Sequence, residues 1–313
     1  MIALYWLWRF VMFLTGVTPR RLSFAIYKFA GGLFYYIMGL RRDVAHENFA
    51  HVLGKPTNDP EVHRVARQSF QNFALLLRDV MLYPSMSMAE LNERVSLHHA
   101  EYLDQVFALD KGMVVVSVHF GNMDLLSAVL ADKFGPITVV AETLQPIQLM
   151  NFLTRIRKEH QVLLYPYEIA PRKILQALKR NEMTAFLLDF GVTHHLDITT
   201  VPVNFFGEMT DFPAGPAQLA LLTGAPIVVG HTEITNDGHI EGYATPPIIV
   251  KKTGNRQHDM QVTMQEIATR IEGFIQRAPG QWYVFRPMWN TAQTLKRNIP
   301  SLSHQGSSRE ITQ

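Results

Sequence analysis

Two long apolar stretches open the chain. Ile2–Val17 (IALYWLWRFVMFLTGV) is interrupted only by Arg9, and Leu22–Leu40 carries one charge, Lys28, with Pro19-Arg20-Arg21 between them. A membrane-spanning helix needs about 20 mostly apolar residues, so the first stretch is short and the second borderline. Both are rich in Trp, Tyr and Phe, the residues of the membrane interface, and each is closed by an Arg-Arg pair. The pattern predicts a helical membrane anchor over residues 1–42, either spanning or lying in the interface plane, with the rest of the chain on the cytoplasmic, positive side. Arg9 inside the apolar run and the lack of a small-x-small site argue against a cleaved signal peptide. Two helices buried in an ordinary core are the plain alternative.

Beyond residue 43 the period changes twice. Glu61–Tyr83 places apolar residues at Val62, Val65, Ala66, Phe70, Phe73, Leu76, Leu77 and Val80, the 3.6-residue period of a long amphipathic helix. Ser87–Asp110 reads as one or two further helices. Then MVVVSV (Met113–Val118) gives a continuous β-branched run of strand length, the mark of a strand buried on both faces. Ile137–Ala141, Val162–Tyr165, Thr184–Leu188, Val201–Phe206 and Pro226–Gly230 repeat it. Helical segments lie between them: Leu125–Phe134, Ile147–His160, Pro171–Arg180 and Ala214–Thr223, with Met260–Arg277 last. Pro171 suits a first helical turn. Such alternation predicts an α/β fold, a single domain over 43–295 with a mainly parallel central sheet flanked by helices. Residues 296–313 are polar and read as a tail.

Composition sharpens this picture. Of 313 residues 47% are hydrophobic and 18% charged, against about 25% charge in ordinary soluble domains. Disorder is excluded by that apolar content. Lys plus Arg is 29 and Asp plus Glu is 27, for a net charge of +2, which argues against a nucleic-acid partner. The balance is uneven, because residues 1–50 carry a net +4 and the remainder −2. With no cysteine in the chain, disulfides, Cys-ligated metals and thiol catalysis are excluded. No GxGxxG, GxxxxGK[ST], GxSxG or HExxH occurs.

The candidate chemistry is His119-Phe-Gly-Asn-Met-Asp124. Spacing alone is uninformative: with 13 histidines in the chain, chance supplies roughly 0.5 such pairs. A second one, His99 and Asp104, lies in a polar helix-like segment and is expected to face solvent. His119 instead ends a buried strand, Gly-Asn follows as a turn, and Asp124 opens a helix. Open α/β sheets bind ligands at the carboxyl ends of their strands. A neutral imidazole there can take the proton of an attacking hydroxyl, and a carboxylate on its other nitrogen fixes the tautomer. A thioester acyl donor then needs no protein nucleophile. A structural His at a strand end is the alternative. So is a metal-dependent hydrolase built from His119, Asp124 and His194-His195-Leu196-Asp197.

VSVHFGNMDLL resembles the HxxxxD/E signature of the lysophospholipid acyltransferase superfamily. The branch it is similar to is the lipid A lauroyl/myristoyl acyltransferases and the phosphatidylinositol mannoside acyltransferases. The likeness extends through VVAETL (Val139–Leu144), LLDF (Leu187–Phe190), VPVNFFGEMTDFPAGPAQLALLTGAPIVVG (Val201–Gly230) and VFRPMWN (Val284–Asn290). It covers nearly the whole chain, and the Val201–Gly230 block is its most specific part. The motif lacks the Trp that many relatives carry before the acid, and the stretch after Asp189 looks longer than usual; both bear on the acceptor.

The resemblance implies a glycerolipid acyltransferase-like fold and a membrane-associated O-acyltransferase at the bacterial cytoplasmic membrane. The donor would be acyl-CoA or acyl carrier protein, and the acceptor a lipid A or phosphatidylinositol mannoside type precursor. A lysophospholipid or glycerol-phosphate acceptor is the nearer alternative; a non-catalytic lipid-binding envelope protein is the farther one. No cofactor and no metal are implied. His119 would be the base and Asp124 its orienting partner. Gly121 and Asn122 would line the turn at the substrate, and Glu142 would line the site. Arg157 and Arg172 would hold phosphate, with an exposed helix face as the alternative for both. Asp189 would face the same cleft, and Phe205, Phe206 and Gly207 would form a groove loop.

Overall fold

The structure, a computed structural model, describes residues 2–140, 147–166, 169–189 and 198–289. Four helices come first: α1 (Ile2–Val17), α2 (Arg20–Ile37), α3 (Gly39–Leu53) and α4 (Pro60–Leu82). Asp59 caps α4 through its side chain and Pro60 fills the first turn, where its missing N–H costs nothing. Next come α5 (Met88–Arg94), β1 (Val95–His98), α6 (Ala100–Phe107), β2 (Met113–Ser117), α7 (Met123–Phe134), β3 (Ile137–Val140), α8 (Ile147–Glu159), β4 (Val162–Tyr165), α9 (Ala170–Lys179) and β5 (Met183–Leu187). After them the chain forms β6 (Thr200–Phe205), β7 (Glu208–Pro213), α10 (Gly215–Thr223), β8 (Ile227–Ile234), β9 (Ile240–Ala244) and α11 (Arg256–Arg277).

Seven strands make one sheet in the order β1-β9-β8-β2-β5-β3-β4, parallel at every pair except β8–β9. The expected mainly parallel α/β sheet is therefore present. The segment Ser87–Asp110 is not wholly helical, since β1 sits inside it and pairs with β9. The run Val201–Phe206 is corrected too. It forms β6, whose alternating exposure puts Val201, Val203 and Phe205 inward, and it pairs with β7 in a separate antiparallel hairpin.

Strand alternation sorts the core into two layers. Val114, Val116 and Val118 pack with α9, α10 and α11 residues such as Ile174, Ala217 and Ile271. Val115, Val139, Leu164 and Ala185 point the other way, toward the layer holding Leu103, Leu126 and Leu130 of α6 and α7. On that second face the cover is incomplete, and the gap becomes the cavity described below.

At the N-terminus, no helix among the described residues is long and apolar enough to cross a membrane. Helix α1 has 16 residues, and α2 has 18 but begins with Arg20-Arg21 and contains Lys28. The spanning form of the expected anchor is thus not what these helices build. They are not buried core helices either. Helix α2 seats Ser23, Gly31, Gly32 and Tyr35 inward. At Gly31 a Cβ would lie 2.6 Å from Gln71 Cα and 2.6 Å from the Phe70 carbonyl, so only glycine permits this approach to α4. The outer face exposes Leu22, Ile26, Phe29, Leu33 and Ile37, and α1 exposes Trp6, Phe10, Phe13 and Val17.

Candidate active site

His119 lies two residues past the end of β2, and Asp189 two past the end of β5. Those strands are adjacent and in register, Val115 opposite Ala185 and Ser117 opposite Leu187. Period-two alternation carries the same face onward to His119 and Asp189. Their side chains meet there: His119 Nδ1 is 2.8 Å from Asp189 Oδ1, and the His119 backbone N–H donates to Asp189 Oδ2 at 2.9 Å. Trp282 Nε1–H donates to the same oxygen at 2.9 Å. The Asp189 side chain is fully buried, whereas the imidazole keeps 41% of its surface open, in the cavity wall.

Electrostatics follow from this arrangement. Burial works against the imidazolium, but the Asp189 charge and hydrogen bond outweigh it, and the His119 pKa is raised above its ordinary value despite the opposing charges of Arg286 and Arg157. Burial pushes the Asp189 carboxyl up, yet His119 and the N–H donors around it hold it below its ordinary value. With the carboxylate on Nδ1, that nitrogen carries the proton and Nε2 is the basic one.

The turn is held by a short strand-like segment from near the end of the described chain. Tyr283 N–H donates to the His119 carbonyl at 2.8 Å, Gly121 N–H to the Gln281 carbonyl at 2.9 Å, and Tyr283 Oη–H to the Gly121 carbonyl at 2.7 Å. Gly121 has φ 59, and a Cβ there would sit 1.9 Å from the Thr232 carbonyl oxygen. Its role is this close packing rather than a substrate approach. Asn122 is likewise not a lining residue. It is buried, caps α7 by accepting from Leu125 N–H at 3.2 Å, and donates to Asp79 Oδ2 at 2.7 Å. Asp79 also accepts from Arg78 at 2.6 Å and Arg94 at 3.0 Å on its other oxygen.

Asp124 is not the partner of the His119 Nδ1. It sits in the first turn of α7, a position that favours an anion, and Arg157 grips its carboxylate in a fork, Nε at 2.7 Å and Nη2 at 3.1 Å. This ion pair holds the guanidinium charged against its own burial. Arg157 therefore belongs to the site, and its Nη1 carries two further donors.

His119, Asp124, Arg157 and Asp189 all line one cavity of about 780 Å³. Its other walls are apolar, with Val115, Val139, Leu164 and Ala185 from the sheet, Leu126 and Leu130 from α7, and Phe70 and Phe73 from α4. Arg41 and Arg286 also line it, as do Phe34 of α2 and Met38 just past its end. Arg41, expected only as a charge flanking the anchor, donates to the Phe285 carbonyl at 2.8 Å, and its pKa is lowered by burial and by Arg286.

Four expected lining residues lie elsewhere. Arg172 is exposed on α9. Phe205 is fully buried on the opposite side of the sheet, 6.2 Å from the Trp282 ring and 5.7 Å from Trp289. Phe206 and Gly207, with φ 53 and 81, form the tight turn of the β6–β7 hairpin. Phe205 thus supports the Trp that holds Asp189, without touching the cavity. Glu142 and the His194–Asp197 cluster lie outside the described residues. Among the described residues no group of three or more His, Cys, Asp or Glu is placed to hold a metal ion. His99 and Asp104 are exposed, as expected. The site residues that sequence reasoning missed are Arg41, Arg286 and Trp282. The only signal for Trp282 was an aromatic run, WYVF, near the C-terminus.

The family model for bacterial lipid A biosynthesis acyltransferase matches residues 1–291. A phosphatidylinositol mannoside acyltransferase of Mycolicibacterium smegmatis is 29% identical over 246 residues, 77% of this chain and 77% of that protein. The enzyme so described from Mycobacterium tuberculosis strain CDC 1551 / Oshkosh is 28% identical over 252 residues, 78% of this chain and 75% of that one. Among solved structures, a 1-acyl-sn-glycerophosphate acyltransferase from Thermotoga maritima aligns with a TM-score of 0.38 at 13% identity, covering 82% of this chain and 98% of that one.

Proposed function

The chain belongs to the bacterial lipid A biosynthesis acyltransferase family and is an acyltransferase, and we propose that it moves a fatty acyl group from the thioester of acyl-CoA or acyl carrier protein to a hydroxyl of a membrane glycolipid or phospholipid precursor of lipid A or phosphatidylinositol mannoside type. The observation that carries this reading is the His119–Asp189 pair in the wall of a long apolar cavity. The cavity suits a fatty chain, whose burial is worth about 0.8 kcal/mol per methylene.

The acyl chain lies among Val115, Val139 and Leu164, and the thioester carbonyl stands beside His119. Nε2 takes the proton of the acceptor hydroxyl as that oxygen bonds to the carbonyl carbon. Asp189 keeps the tautomer and stabilises the imidazolium. The tetrahedral intermediate collapses by breaking the C–S bond, and the departing thiolate takes the proton back from His119. Arg157 and Arg286, whose charges both reach His119, stabilise the oxyanion. Asp124, the acid of the signature, acts by positioning Arg157 rather than by contacting the base. No covalent enzyme intermediate forms, consistent with a chain that has no cysteine.

The apolar outer faces of α1 and α2 lie in the membrane interface plane, at the cytoplasmic side of the bacterial inner membrane. Phe34 and Met38, at the end of α2, line the cavity and join that surface to the site. The reaction is tested by mass spectrometry of lipids from cells with and without the protein. A lipid heavier by one acyl group is expected with wild type and not with His119→Ala, provided the variant folds. Wild-type product from folded His119→Ala would overturn the mechanism.

A further inference from the structure

Helix α4 has a second open flank, away from the acyl cavity. A notch of about 230 Å³ lies there between α4, α2 and the turn joining β8 to β9. Three cations line it, Lys28, Arg64 and Arg67, together with the amides of Gln68, Gln71 and Asn236; among the described residues no carboxylate does.

These charges are held mostly without being neutralised. The Arg67 guanidinium lies 5.8 Å from the Tyr36 ring centre and the Lys28 ammonium 5.9 Å from that of Phe24. Aromatic faces hold a cation in place without cancelling its charge. Arg64 shares the half-exposed Glu61 with Lys55. Asp237, in the same β8–β9 turn, accepts from the Thr235 hydroxyl and is exposed.

The walls are fixed as well. Arg20 Nη2 donates to the Gly238 carbonyl at 3.1 Å, tying the β8–β9 turn to α2. Gly238, with φ 80, packs so closely that a Cβ would lie 3.1 Å from the Phe24 ring. Gly32 leaves room for the polar groups above it, since a Cβ would lie 3.2 Å from Gln71 Nε2 and 3.5 Å from Arg67 Nε. Lys28 follows the notch-lining Phe24 by one helical turn, and the next residue, Phe29, is exposed on the outer face of α2.

We infer that Lys28, Arg64 and Arg67, with the amides of Gln68 and Gln71, bind a negatively charged phosphate group in this notch, beside the apolar face of α2 and apart from the acyl-transfer centre. Guanidinium forks and amide N–H groups suit phosphate oxygens. A lipid headgroup would reach the notch with its chains along Phe29 and Leu33, orienting the site on the membrane. That source rests on the membrane-surface reading proposed above; a free phosphate does not.

The test uses the full chain, in two arms. In the first, inorganic phosphate is titrated while thermal unfolding is followed. In the second, partitioning is compared between vesicles of phosphatidylcholine alone and vesicles with added phosphatidylglycerol. The variants are Lys28→Ala/Arg67→Ala and, as a charge-matched control in helices α1 and α2, Arg9→Ala/Arg21→Ala. Removing two basic residues weakens attraction to an anionic surface in both double variants alike, so the notch variant should bind anionic vesicles at least about tenfold more weakly than the control variant, through the lost guanidinium–phosphate contacts, with neutral vesicles unaffected. It should also lose any rise in unfolding temperature given by phosphate. A loss confined to the vesicle arm assigns the site to a lipid headgroup, and a loss confined to the phosphate arm assigns it to free phosphate. Equal behaviour of notch variant, control and wild type in both arms overturns the site, as does an equal loss in notch and control variants. Failure of wild type to bind any vesicle counts against the membrane reading alone, because the phosphate arm still reads the notch.

Discussion

Asp189 sets what His119 can do. Among the described residues, burial and the charges of Arg286 and Arg157 oppose that carboxylate and lower the imidazole pKa. Asp189→Asn is therefore expected to move the His119 pKa from above its ordinary value to below it, read by NMR titration of the ring Cε1–H. Asp124→Asn should leave that pKa raised. Asp124→Ala would instead strand the Arg157 guanidinium, whose Nε and Nη2 both bind the Asp124 carboxylate. Denaturant unfolding should show a loss of roughly 3 kcal/mol, with part recovered in Asp124→Ala/Arg157→Met. That His119 and Asp189 would face one cleft was expected, His119 because it ends a buried continuous strand and Asp189 because the family resemblance implies it. The identity of the pair was not. Chain order places β3 and β4 between β2 and β5, and only the sheet makes the two strand ends neighbours. Asp124, five residues from His119 and on the same strand–turn–helix, was the natural guess from local sequence, and the α7 dipole and Arg157 claimed it.

Helix α7 begins where several restraints converge, and its start is sensitive to single atoms. Gly121→Ala places a methyl against the Thr232 carbonyl, so it should cost more than about 2 kcal/mol of stability or displace the turn and abolish activity. Farther out, His46 of α3 stacks on His63 of α4, 4.2 Å between ring centres, with the Tyr35 hydroxyl of α2 at 3.0 Å from Nε2. Burial, His63 and Arg42 lower its pKa to about 4, against an opposing effect of Asp43. The folded chain thus binds this proton less readily than the unfolded one. Its contribution is fully present above the ordinary pKa and is lost as pH falls from about 6.5 toward about 4. His46→Gln should flatten the acid side of a stability-versus-pH curve. Helix α4 and the buried strands were readable from their periods. Strand β1 was not, because four residues, Val95–His98, between two helices leave no period to detect.

At the scale of the whole molecule, the apolar N-terminus is the feature the sequence displayed most plainly and characterised least well. Hydropathy marked residues 1–42 as a membrane segment, but it could not show that one face of α2 is consumed by packing on α4. That packing leaves a one-sided apolar surface, with Phe29 76% and Ile37 66% exposed. Phe29→Glu/Ile37→Glu should lower partitioning to phosphatidylcholine vesicles by on the order of 10³-fold, at roughly 2 kcal/mol for each of the two side chains withdrawn, while turnover of detergent-dispersed acceptor is retained. The cavity was equally hidden, since a gap between α7 and the sheet depends on side-chain sizes from more than ten elements.

The measurement that tests this account most directly is the pH dependence of kcat/KM, followed by thiol release from long-chain acyl-CoA or acyl carrier protein with a membrane lipid extract as acceptor, for wild type, Asp189→Asn and Asp124→Asn. Wild type should gain activity as pH rises through a midpoint above 6.5. Asp189→Asn should fall by on the order of 10²–10⁴ at the plateau, with its midpoint moved to lower pH, and Asp124→Asn should keep the wild-type midpoint. A wild-type profile from Asp189→Asn, or a midpoint that moves with Asp124→Asn instead, would contradict it.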